Sequence, residues 1–158
     1  MKIKRCTKGS FSVIGKEGST NDGKGFIDQL WTDAQDHFHQ VEALAKKDDN
    51  GNLLGFWGLM SDFSRGFGPW EDNYTKGLYL AGVEVDDESI APQGWTKWIV
   101  PAFEYLYAAA GSDRVKDFHT MLDYIQENDL ELAGAAHDFL CPREAGKSYM
   151  FFPIKRRG

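Results

Sequence analysis

The stretch Gly94–Ala110, GWTKWIVPAFEYLYAAA, decides how the chain is read. Two tryptophans, Trp95 and Trp98, precede a proline, and large residues with one acid among them follow: Phe103, Glu104, Tyr105, Leu106 and Tyr107. Aromatic and β-branched enrichment between turn residues predicts a long strand from about Thr96 to Ala109. Strand alternation puts Ala102, Glu104 and Leu106 on one face and Phe103, Tyr105 and Tyr107 on the other. A carboxylate in such a strand must face water, find a partner, or sit in a cavity that uses its charge. The alternation does not say which face is buried.

Around this strand the order of elements repeats. Phe11–Ile14 alternates and reads as a strand, and the Gly-rich stretch 15–25 reads as a loop. Ile27, Leu30, Trp31, Ala34, Phe38, Val41 and Ala45 then recur at helical spacing, with Lys46 and Lys47 at the dipole-favoured end. Strands are predicted over Leu53–Phe63 and Leu78–Val85, with a loop carrying Phe67, Trp70 and Tyr74 between them. After the central strand, Val115, Phe118, Leu122 and Ile125 form the stripe of a second helix ending near Asn128. Ala136–Leu140 and Ser148–Lys155 complete the second half as strands, while residues 1–10 form an edge strand or a solvated arm.

Both halves, about 11–85 and 94–156, thus read strand–helix–strand–strand within one domain, 1–158. The predicted class is α+β: a duplicated unit forming one curved antiparallel sheet, two helices on one face and a ligand cleft on the other, along the pseudo-dyad.

The chain has 158 residues, and a formal charge of −6 from 24 acids against 18 bases disfavours broad binding to a phosphate backbone. The two cysteines, Cys6 and Cys141, lie in no metal or redox motif. No apolar run follows the basic start, and none approaches the roughly eighteen residues of a membrane span, so a cytoplasmic protein is expected. No G-x-S-x-G, phosphate-loop or HExxH motif occurs, and no cofactor or metal is expected. His37 and His39 do not share a helix face. His137 and Asp138 are adjacent on a strand and point apart. Aromatics make up 14% of the chain and five residues are Trp, which suits an aromatic-lined site or an aromatic-rich core.

Three motifs in order carry a family resemblance: LYLAGVEV with its G-x-E-V ending, VPAFEYLY after an acidic Pro/Gly linker, and the closing SYMFFPIK. Together they resemble the GyrI-like effector-binding family, also found as the ligand domain of AraC-type and multidrug-sensing regulators. The resemblance covers most of the chain from Leu53 onward. It implies the same duplicated fold, and a site where aromatic rings hold bulky, flat, often cationic compounds over a buried Glu. Some stand-alone, Trp-rich members hydrolyse cyclopropane-bearing DNA-alkylating natural products. In many relatives the strand before the last carries a Glu; here that position is Asp138, and Glu104 stands where relatives often have a neutral residue.

The expected site follows from both readings. Glu104 is the candidate general base, or charge selector if it stays ionised, and Tyr149 is the candidate hydroxyl donor. Trp57, Trp70, Trp95, Trp98, Tyr105, Phe56 and Asp138 form the expected ligand-binding set, although at least two of the tryptophans are expected in the hydrophobic core. Trp70, in a Gly/Pro-flanked loop, is a candidate lid. The expected partner is a bulky aromatic small molecule, with no direct nucleic-acid or membrane partner. The expected function is sensing or sequestration of that molecule; the alternatives are a cofactor-independent hydrolase using the same cleft and a protein-interaction module.

Overall fold

A computed structural model describes residues 1–157. Eight strands are present: β1 (Lys4–Lys8), β2 (Phe11–Ser19), β3 (Phe56–Ser61), β4 (Leu78–Val85), β5 (Thr96–Val100), β6 (Phe103–Ala109), β7 (His137–Cys141) and β8 (Lys147–Arg156). Helix α1 spans Phe26–Asp36, α2 is the single turn Glu71–Tyr74, and α3 spans Arg114–Glu127. All strand pairs are antiparallel and form one sheet in the order β1-β6-β8-β7-β3-β4-β2-β5. The two strand–helix–strand–strand units meet at the β3–β7 seam.

The predicted single strand Thr96–Ala109 is two strands, at positions far apart in the sheet. Pro101 has no backbone N–H and ends the β5 ladder. Val100 pairs with Phe11 of β2, whereas Phe103 pairs with Lys8 of β1 and Arg156 of β8. The link Gly9–Ser10 makes the same jump in reverse, from β1 beside β6 to β2 beside β5. Both two-residue links join opposite edges of an eight-stranded sheet. The sheet must therefore curl until its edges approach.

The inside of the curl is filled. Phe11, Val13, Trp57, Leu59, Leu80, Trp98, Val100, Phe103 and Tyr105 form one buried cluster drawn from both ends of the sheet, capped by Phe67 from the β3–β4 loop. Trp57 lies at its centre, with its ring centroid 4.8 Å from Phe11 and 4.5 Å from Phe139. Its Nε1 donates to the buried Glu84 Oε1 at 3.0 Å. Each helix covers one half of the other face. Met121 and Ile125 of α3 pack on Leu106, Met150 and Phe152, and Phe26 and Ala34 of α1 pack over β2 and β4. The duplicated α+β sheet is as read from sequence, but the concave side is a packed core. The principal cavity lies on the face the helices occupy.

Two further differences have local causes. The Gly-rich stretch taken as a loop extends β2 to Ser19, because Gly15 and Gly82 are paired where a side chain on either would overlap the opposing backbone. Helix α1 ends at Asp36, and two 3-10 turns, Phe38–Gln40 and Glu42–Leu44, continue the stripe. Three-residue turns keep Phe38, Val41 and Leu44 aligned, so the apolar periodicity outlasts the α-helix.

His137 points into the concave core, edge-on to Trp57 at 6.4 Å, and neither ring nitrogen has a hydrogen-bond partner. Burial pushes its imidazole down from the ordinary 6.5 to about 3. The folded state then binds fewer protons than the unfolded state between those values. The stability this neutral ring contributes is intact above pH 6.5 and is lost as pH falls through that window. In urea titrations at pH 7 and pH 5, the parent should lose more stability than His137→Phe, by up to about 1.4 kcal/mol per pH unit. Leu80→Ala, fully buried in the curl, should lower unfolding free energy by roughly 2–5 kcal/mol. Ile90→Ala, 84% exposed, should change it by less than about 0.5 kcal/mol in the same titration.

Candidate functional site

One cross-strand row on the helix face sets the site. Ala81 of β4 faces Gly58 of β3, Gly58 faces Asp138 of β7, Asp138 faces Met150 of β8, and Met150 faces Ala108 of β6. Small residues leave the middle of this row open beneath the gap between α1 and α3. A cavity of about 680 Å³ lies there. Its walls are Ile27 and Trp31 from α1, Phe118 and Arg114 from α3, and Trp70 and Tyr74 from the β3–β4 loop; Tyr79, Asp138 and Phe152 belong to its floor.

Gly58 decides the floor. A side chain there would overlap the Tyr79 hydroxyl. With glycine in place, the Tyr79 ring lies across β3 toward β7, and its oxygen accepts a hydrogen bond from Trp31 Nε1 at 3.1 Å. The same hydroxyl lies near Asp138 across Gly58, and Arg114 Nη1 donates to Asp138 Oδ1 at 3.0 Å. Burial raises the Asp138 pKa, while the Arg114 charge and, less strongly, the nearby Tyr79 hydroxyl and the Arg114 hydrogen bond oppose the rise; burial wins. Burial also raises the Tyr79 pKa strongly, with the Asp138 charge acting in the same direction. The phenol therefore stays protonated and able to donate.

The mouth is closed on one side by Tyr74, whose ring meets Phe118 of α3 edge-on at 5.4 Å. Asp72, Asn73 and Tyr74 all have positive φ, 53°, 58° and 66°, a run that L-residues adopt at a cost in strain. A smaller apolar cavity of about 230 Å³ lies behind Trp31, lined by Ala34, Phe38, Val41, Phe56, Trp95 and Leu140. The Trp31 side chain lines both spaces.

The expected site residues separate into three places. Asp138 and Trp70 line the main cavity, and Trp70 is a fixed wall, with Nε1 donating to the Leu78 carbonyl at 2.9 Å. Phe56 and Trp95 line the smaller cavity, where Trp95 Nε1 donates to Gln40 Oε1 at 2.8 Å. Trp57, Trp98 and Tyr105 are buried in the concave core, with Trp98 Nε1 donating to Glu17 Oε1 at 2.8 Å. Glu104 and Tyr149 line neither cavity. Glu104 lies on β6 opposite Thr7 and Lys155, and ordinary strand alternation turns its neighbours Phe103 and Tyr105 into the core. The Tyr149 hydroxyl donates to Glu144 Oε1 at 3.0 Å, a bond that raises its pKa. Sequence reasoning did not bring Tyr79, Arg114 or Phe118 to the cavity, and it read Trp31 only as part of the apolar stripe of α1. Arg114 carried a signal: an arginine directly after an Asp N-cap, at the helix end that disfavours cations.

Comparisons with solved structures agree with this architecture along nearly the whole chain. The structure of SAV2435 bound to tetraphenylphosphonium matches with a TM-score of 0.68 at 15% identity, covering 98% of this chain and 94% of that one. The C-terminal domain of EcmrR matches at 0.64 with 10% identity, covering 99% and 98% of the two chains. A hydrolase from Listeria innocua matches at 0.54 with 11% identity, covering 98% and 92%. No family model and no curated protein matches the sequence. The fold is that of the GyrI-like effector-binding domains.

Gly58→Ala tests the floor directly. The added methyl should displace Tyr79, break the Trp31 bond and lower stability by roughly 1–3 kcal/mol, read by denaturant titration together with a shifted Trp emission maximum.

Proposed function

We propose that this protein binds bulky aromatic cations in the inter-helix cavity, with Asp138 selecting for positive charge, in a sensing or sequestering role. The observation that carries this reading is a partly desolvated carboxylate on the floor of an aromatic-walled cavity of about 680 Å³. That volume lies within the usual range of small-molecule sites. The faces of Trp31, Trp70 and Phe118 offer negative quadrupole density to a delocalised cation, and Asp138 supplies a full charge where water screens it weakly. Tetraphenylphosphonium, the compound bound by SAV2435, has the size and charge this cavity favours, which supports the reading.

Titration with tetraphenylphosphonium, followed by calorimetry and Trp quenching, tests it. Saturable binding is expected, weakened at least about tenfold by Asp138→Asn, a loss of about 1.4 kcal/mol. Glu104→Gln should leave the affinity unchanged. Absence of heat and of quenching at millimolar concentration would overturn the reading.

The raised pKa of Asp138 beside the Tyr79 hydroxyl favours a second reading, hydrolysis of a strained electrophile. Asp138 takes a proton from water as the water oxygen bonds to the cyclopropane carbon. The electrons of the breaking C–C bond pass into the conjugated ring system, which then takes up a proton. Tyr79 orients the carboxylate or the receiving carbonyl. This reading moves the base and donor roles from Glu104 and Tyr149 to Asp138 and Tyr79. Mass spectrometry with a cyclopropane-bearing indole alkylator should then reveal a water adduct that Asp138→Asn abolishes and Glu104→Gln retains. An unchanged compound would remove this reading for that substrate class.

A further inference from the structure

Arg114 is placed against the ordinary electrostatics of its helix. It is the first residue of α3, directly after the N-cap Asp113, whose side chain accepts from the Lys116 N–H. The partial positive charge of a helix N-terminus repels a guanidinium. Its side-chain hydrogen bond goes out of the helix, across the cavity, to Asp138 Oδ1. The guanidinium approaches from the mouth, with the Arg114 side chain 48% exposed against 32% for Asp138. The Tyr79 hydroxyl also lies near Asp138, across Gly58. Of the acids beside Arg114 on α3, Asp113 caps the helix and Asp117 accepts from the Gly111 N–H at 2.7 Å; the exposed Asp28 of α1 also lines the cavity, but Arg114 is bonded to Asp138.

We infer that Arg114 is an internal counter-ion occupying the place of the ligand's charge, and that a cationic ligand binds by displacing it from Asp138. This rests on the cation-binding reading and deepens it. In the empty site the pair is neutral, so a partly desolvated carboxylate keeps a positive partner. When a cation enters, the Arg114 head swings to water, a short movement for a half-exposed side chain. The carboxylate exchanges one positive partner for another. A neutral aromatic molecule has no charge to offer in exchange and leaves the pair closed. Selectivity for cations thus comes from exchange, and the apparent affinity is reduced by the fraction of time Arg114 holds the site.

The test compares the parent with Arg114→Gln, Arg114→Ala and Arg114→Gln/Asp138→Asn, titrated with tetraphenylphosphonium and with neutral triphenylphosphine oxide at low salt. Both single variants should bind the cation about five- to tenfold more tightly, the scale of a half-exposed charge pair. The neutral probe should show no comparable gain, and the double variant should lose the gain for the cation. Cooperative unfolding of each variant confirms that a change in affinity is not a change in folding. If the parent binds the cation and the folded single variants bind it equally or more weakly, the counter-ion inference falls while the binding reading stands. If the parent does not bind the cation, the binding reading falls and the inference falls with it.

Discussion

The geometry of the whole protein depends on two short links that join opposite edges of one sheet. Gly9–Ser10 and Pro101–Ala102 each allow only two residues between strands that lie far apart in the ladder. A flat eight-stranded sheet would separate such strands by several interstrand spacings of about 4.8 Å, beyond the reach of two residues. Curling is therefore imposed by covalent connectivity. Once the sheet curls, its inner face is small and must be filled, and Trp57, Trp98, Phe103 and Tyr105 fill it. The tryptophans of the inner face serve packing, and their indole N–H groups meet Glu84 and Glu17.

The cavity is the complementary consequence. Each helix covers the sheet of its own unit, so the β3–β7 seam between the units has no helix above it. Gly58 and Ala81 keep the seam low, and Tyr79 and Asp138 rise into the space they leave. Three strands and the start of α3 thus converge on one carboxylate. That carboxylate is paired with an arginine whose side chain is half exposed, and the protonated Tyr79 phenol lies near it.

Local signals were strong enough to reveal most elements. Helical spacing over Phe26–Ala45 located α1 and its continuing 3-10 turns, although the apolar period alone could not distinguish an α-turn from a 3-10 turn. Glycine was the ambiguous letter. Gly15 and Gly18 looked like loop formers, yet Gly15 is where two strand backbones pass too closely for any side chain. The pull of Glu104 was of the same kind. An acid among aromatics looked like a buried charge, but alternation sends Phe103 and Tyr105 into the concave core and leaves Glu104 on the other face, beside Thr7 and Lys155. Which face of β6 is packed follows from the curl of the whole sheet, which no window around residue 104 contains.

What the sequence determined by itself was the repeated order of strand, helix and two strands, the two apolar helix stripes, and the opposite facing of His137 and Asp138. All three follow from periodicities of two and 3.6 residues that act within a few positions along the chain. Only the tertiary structure decided that the ligand-sized space lies between the helices. The same is true of the choice of Asp138 over Glu104 as the carboxylate facing it, and of the meeting of Tyr79 and Arg114 there. Those outcomes depend on registers such as Gly58 against Asp138, 80 residues apart, and on a curl imposed by links at both ends of the sheet. Contacts between distant strands are set by the summed packing of the whole sheet, so no local stretch of sequence carries them.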